Sequence, residues 1–136
     1  ENAMDTHLTS TAQACLAAAY DGSLDFPTIV GRLMDAGFEG YTVDYRRGST
    51  TYYLPDGDSV VLTNPSPAEP VAAAFQPTVV EQAVREAQVL APGYTYAGFC
   101  RKVTQAGCAG YIVSFLGRRV VYLGRTAETH VEHFPQ

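Results

Sequence analysis

The chain has 136 residues, 46% of them apolar and 17% charged, with a formal net charge of −5. At this length one domain buries roughly two thirds of the surface its unfolded form exposes, and the balance excludes a disordered chain and argues against general affinity for nucleic acid or anionic membrane. No apolar run approaches the roughly 18 residues of a membrane span and no basic-then-apolar segment opens the sequence, so the expected location is the cytoplasm.

Glu1, Asn2 and Ala3 precede Met4 and read as an expression scar, leaving 4–136 as a single domain. Ser10 and Gln13 have the spacing of a capping box and predict a helix from about 10 to 20. A second helix is predicted from about 26 to 36, with Pro27 in its first turn and Gly37 as the left-handed residue that stops it. Tyr41, Val43 and Tyr45 then alternate with Thr42 and Asp44, the period of a strand with one buried face. Arg46, Arg47 and Gly48 fit a three-residue hairpin loop that sets Tyr45 near Ser49 and Tyr41 near Tyr53. Asp56-Gly57 turns the chain into a third strand at about 59–63.

The four prolines of LTNPSPAEPVAAAFQP mark 64–77 as an irregular connector. Beyond it, Thr78 and Glu81 repeat the capping-box spacing, and Val80, Ala83, Val84, Ala87 and Leu90 form the apolar stripe of a helix from about 78 to 91. A helix from about 96 to 106 stops at Gly107. Tyr111, Val113 and Phe115 start a hairpin with Leu116-Gly117 at its turn, and a last strand spans about 129–134.

The same order of elements thus occurs twice, and the residues agree. AGFEGY at 36–41 returns as AGCAGY at 106–111, and a shift of 70 places Phe26 on Tyr96, Leu33 on Val103 and Tyr45 on Phe115. A one-residue deletion at the hairpin tip then puts Tyr53 on Tyr122. The expectation is an α+β fold made by tandem duplication of a helix-helix-strand-strand-strand unit, with repeats at about 8–63 and 78–134 and antiparallel sheets carrying helices on one face.

TYYLPDG at 51–57, GRRVVYLGR at 117–125 and HVEHFP at 130–135 resemble the YdfO-like family of bacterial and prophage proteins, sometimes labelled phage envelope protein. The similarity runs from about Leu24 to Pro135. It implies a duplicated α+β fold and a bacterial or prophage origin, and it supplies no activity and no catalytic residues.

Candidate chemistry is sparse. Cys15, Cys100 and Cys108 have neither metal nor redox spacing and read as small hydrophobes. In HVEHF, His130 and His133 fall on opposite faces of a strand, while His130 and Glu132 share a face but are too few to hold a metal. Arg46, Arg47, Arg118 and Arg119 lie at matching hairpin tips, with Arg125 in the next turn, and could together clamp an anionic group. Ile112, Val121 and Leu123 point away from the core face of the second hairpin, so either the Val71–Phe75 segment or another subunit should cover them. No catalytic residue, metal site or cofactor is legible. The leading reading is a non-enzymatic interaction protein, with a homodimer expected over a monomer. The alternative is an anionic-ligand binder or enzyme with its site at the junction of the repeats, where Arg, His and Glu would converge.

Overall fold

The computed structural model describes residues 3–135, with side chains from Thr6 onward. Glu1 and Asn2 of the proposed scar lie outside the described residues. Four helices and six strands follow one another as α1 (Ala3–Asp21), α2 (Phe26–Ala36), β1 (Gly40–Asp44), β2 (Ser49–Tyr53), β3 (Ser59–Thr63), α3 (Pro77–Gln88), α4 (Tyr96–Gln105), β4 (Cys108–Ser114), β5 (Arg119–Gly124) and β6 (Thr129–His133). The strands make one antiparallel sheet in the order β3-β2-β1-β4-β5-β6.

The inner helices start where the sequence places them. Asp25 and Thr95 each cap a helix, accepting hydrogen bonds from the amides of Thr28 and Gly98, and Gly37 and Gly107 turn left-handed behind them at φ 105° and 87°. Neither expected capping box forms. Ser10 lies inside α1, because neither the residues from Ala3 to Thr9 nor the alanine-rich stretch after Ser10 contains a helix breaker. Thr78 is displaced by Pro77, whose fixed φ suits the first helical position, and Gln76 precedes it without a side-chain cap. α3 also stops early at Gln88, and Leu90, at φ 48°, leaves the expected stripe for solvent.

The first hairpin corrects the sequence reading by one residue. The Asp44 carboxylate accepts the amides of both Arg46 and Arg47, and the Gly48 amide, at φ 69°, bonds the Asp44 carbonyl. Those bonds close a four-residue loop, so Asp44 faces Ser49 and Tyr41 faces Tyr52. A slip of one residue exchanges the faces of a strand. Tyr52 is therefore the buried tyrosine and Tyr53 the exposed one, while Thr50 is buried with its hydroxyl on the Asn64 side chain at 2.6 Å. The second hairpin pairs as expected, with Tyr111 facing Tyr122 and Val113 facing Val120. Arg118, at φ 51°, stands where Gly48 stands in the first loop, so no deletion intervenes and the shift of 70 continues through β2 and β5 to β3 and β6.

β1 and β4 join the two sets of strands about Thr42, which faces Ile112. The second glycine of each AGxxGY stretch serves this seam. A Cβ on Gly40 would lie 2.4 Å from the Val113 carbonyl oxygen, and one on Gly110 would lie 2.2 Å from that of Val43. Along the strands one face is buried: Tyr41, Val43, Tyr52, Tyr111, Val113, Val120 and Tyr122 share a core with Leu33 of α2, Val80 of α3 and Val103 of α4. The connector contributes Val71 and Phe75 to that same core. It is tied by bonds from the Ala72 amide to the Thr104 carbonyl, from the Gln76 amide to the Ala106 carbonyl and from the Arg125 guanidinium to the Val71 carbonyl. It therefore does not cover Ile112, contrary to one of the two expectations.

Candidate functional site

With the register fixed, the outward-facing residues fall into rows across the sheet. The central row reads Val61, Thr51, Thr42, Ile112, Val121 and Val131, each facing the next across a strand pair. All six are β-branched, the residue class that packs best on a pleated surface. The row runs roughly 24 Å from edge to edge at ordinary strand spacing. Ile112 is 42% exposed, Val61 63% and Val131 40%, whereas Thr42, Thr51 and Val121 are half-buried by their neighbours. Leu123, two residues from Val121 on β5, shares this face as the sequence places it and lies in the flanking row between Gly110 and Thr129. The flanks are otherwise mostly polar and include the Tyr53 ring, with Asp44, Arg119 and His133 as their ionisable groups. Sequence reasoning placed Ile112, Val121 and Leu123 on this face. It missed Thr42, Thr51, Val61 and Val131 as one surface because it treated the hairpins separately.

A second cluster lies under the opposite face, at the β6 edge. His130 Nε2 meets Glu132 Oε2 at 2.5 Å, and Arg85 of α3 donates to Glu132 Oε1 at 2.8 Å and pairs with Glu81 at 3.3 Å. Burial alone would raise the Glu132 carboxyl, but the bonds from Arg85 and His130 outweigh it and hold the group below its ordinary value. Glu81, His130 and Glu132 bring ligand atoms within 4.8 Å of one another, so α3 supplies the third metal-ligating group that HVEHF lacks. The Arg85 guanidinium already bonds both carboxylates and furnishes the positive charge between them. The arrangement is a satisfied ion network. Arg85 left no signal in the sequence beyond its place on the polar flank of α3, and Glu81 was read as the partner of Thr78 in a capping box that does not form.

The arginine clamp is not assembled. Because β1 and β4 are antiparallel, the Tyr45 amide bonds Ala109 at one end of the seam and the Phe115 amide bonds Glu39 at the other. Arg46 and Arg47 therefore occupy one end of the sheet, and Arg118 and Arg119 the opposite end. Arg118 lies over the Phe134 ring at 5.7 Å and donates to the Pro135 carbonyl, and Arg119 donates to Gly117. Arg125 holds the connector, as described. At the seam itself the space is filled by aromatic rings: Tyr41 packs against Tyr52, Tyr111 and Phe115. A depression of about 350 Å³ lies between α1 and α2, beside His7, Cys15, Arg32 and Asp35, and a smaller one of about 100 Å³ is lined by Tyr45 and Asn64 on one side and Cys100 and Arg101 on the other.

The thiols are poor nucleophiles. All three are buried and free; burial pushes the Cys108 thiol up to about 11 and raises Cys15 and Cys100 as well. Cys100 accepts a hydrogen bond from the Tyr45 hydroxyl at 3.5 Å, a contact inside the core. Among the described residues no buried side-chain polar atom lacks a partner. Compared with known proteins, the chain matches no family model and no curated protein.

Proposed function

We propose that the protein is a non-enzymatic binding module that holds a protein partner against the open face of its sheet. The observation that carries this reading is the unbroken row from Val61 to Val131, apolar at both ends and at Ile112 in the middle. An apolar stripe with mostly polar flanks suits a protein surface. It does not suit nucleic acid, since Arg119 is its one arginine and Tyr53 and His133 are its only rings. The groups capable of chemistry argue the same way: the thiols are buried and protonated, and His130 and Glu132 are engaged with each other and with Arg85.

The architecture behind this face is read as a tandem duplication, residues 8–63 and 78–134 joined by 64–77, with the helices packed on the inner face. Supporting it are the constant shift of 70 between equivalent strands, the matched caps at Asp25 and Thr95, and the paired seam glycines Gly40 and Gly110. The resemblance to the YdfO-like family adds a bacterial or prophage origin to the proposal, with the cytoplasm as the expected location.

A random peptide library panned against the protein tests the binding face. Enriched peptides should bind the wild type and lose at least tenfold in affinity to Ile112→Asp, which places a charge at the centre of the row. Failure to enrich any peptide, or equal binding to both proteins, would refute the proposal.

A further inference from the structure

The sheet has two free edges, β3 and β6. The Asn64 amide bonds the Gly48 carbonyl and the Leu54 amide bonds the Asp58 carbonyl, so the even-numbered positions of β3 pair with β2. Ser59, Val61 and Thr63 therefore turn their main-chain N–H and C=O groups outward, where the Asp58 carboxylate accepts the Ser59 amide at 3.0 Å and the rest of the row stays open. By the same reasoning, bonds from Phe134 to Arg118 and from Gly124 to Glu128 leave Thr129, Val131 and His133 outward in β6. An unpaired row of this kind is a template for another strand unless something guards it.

β6 is guarded on its inner side, whereas β3 carries only the Asp58 carboxylate at its first amide. At the inward positions of β6 stand His130 and Glu132, locked to Arg85; the matching positions of β3 are Val60 and Leu62, half-buried and apolar. α3, which touches β6, carries Glu81, Arg85 and Glu86, whereas α1, which touches β3, has no Asp, Glu, Lys or Arg from Thr6 to Tyr20. β3 is also self-complementary. Read antiparallel to itself about Val61, SVVLT sets Ser59 opposite Thr63, Val60 opposite Leu62 and Val61 opposite Val61.

We infer that β3 pairs antiparallel with β3 of a second copy, joining two six-stranded sheets into one continuous sheet about a two-fold axis at Val61. Roughly four main-chain hydrogen bonds form across the join, from the Val61 and Thr63 amides to the Val61 and Ser59 carbonyls of the other copy, the Ser59 amides being held by Asp58. Val60 and Leu62 extend the two cores into each other on the inner side. On the outer side the β-branched row runs on from Val61 to its copy, so the dimer doubles the length of the open face and leaves it free. This inference concerns the edge and does not depend on what the face binds.

Disulfide trapping tests it. In an antiparallel pair that exchanges both hydrogen bonds the facing Cα atoms are about 5.5 Å apart, within disulfide range. The native thiols are buried. Under mild oxidation Val61→Cys should form a covalent dimer in high yield, and Val131→Cys, at the matching place on β6, should remain monomeric. A third variant, Val61→Pro, removes an outward N–H without touching the β2 ladder. It should sediment as a folded monomer at concentrations where the wild type is a dimer. A monomeric wild type at 0.1 mM, cross-linking equal at positions 61 and 131, or a dimeric Val61→Pro would each overturn the inference.

Discussion

The two edge strands of this sheet share a register and differ in finish. Val60 and Leu62 in β3 stand where His130 and Glu132 stand in β6, and only the second pair finds an arginine above it. Charge on the inner side of an edge strand discourages pairing, because a second strand would have to bury it. One scaffold can thus present an open edge and a closed edge, and the difference rests on two side chains and the helix that answers them. The comparison extends one strand inward. Gly124 of β5 accommodates the connector, with Phe75 side-chain atoms 2.9 Å from where its Cβ would be, whereas the matching residue, Leu54, packs its own side chain against the core.

The largest effect is expected from forcing that inner difference. Gly124→Leu makes the second half resemble the first and displaces Phe75, with a stability loss of about 3 kcal/mol from overpacking. Denaturant melts measure it, and an unchanged midpoint would show that the connector seat is adaptable. Next, Leu62→Glu gives β3 the carboxylate of β6 without its arginine. A half-buried, unpaired acid costs about 1–3 kcal/mol, so the variant should be less stable and monomeric. If it keeps wild-type stability and mass, inward charge is not what distinguishes the edges.

The reverse exchange sharpens the point. The double variant His130→Val and Glu132→Leu removes the guard from β6 while Arg85, half-exposed, retains Glu81. Stability should change by less than ~1 kcal/mol, since replacing paired polar groups by apolar ones of similar shape is nearly neutral. Light scattering should nevertheless report assemblies larger than a dimer as concentration rises, because both edges are then open. A strict dimer at all concentrations would contradict this.

The smallest effect is in acid. Hydrogen bonds from Arg85 and His130 hold the folded Glu132 carboxyl below its ordinary value despite the burial that opposes them, so the unfolded chain takes up the proton more readily. Its contribution is full above the ordinary value of 4.5 and is lost as pH falls through the lowered folded value. Glu132→Gln should flatten this acid limb by less than ~1 kcal/mol, with partial solvent exposure of Arg85 limiting the size. Identical acid limbs in the two proteins would place the carboxyl outside the network.

Much of the fold was legible because it is local. The inner helices announced themselves through Pro27, Gly37 and Gly107, and β3 through the Asp56-Gly57 turn. The first hairpin was misread because ArgArgGly fits a three-residue loop as well as the end of a four-residue one. The choice between them lies in hydrogen bonds to Asp44 that no spacing displays. That single residue exchanged Tyr52 for Tyr53 and concealed the outer row. The role of Gly40 and Gly110 was equally hidden, since it exists only where β1 meets β4. The Arg85 network was invisible for the same reason: its members lie 47 residues apart and meet only through packing of α3 on β6.

Amide hydrogen exchange at two positions addresses the central claim directly. The Val61 and Val131 amides both point away from their own sheet, so in an isolated monomer both exchange at rates near those of an unprotected chain. The account predicts that Val61 is protected, that its protection grows with protein concentration, and that Val131 stays fast throughout. Equal and rapid exchange of the two amides at every concentration would contradict it.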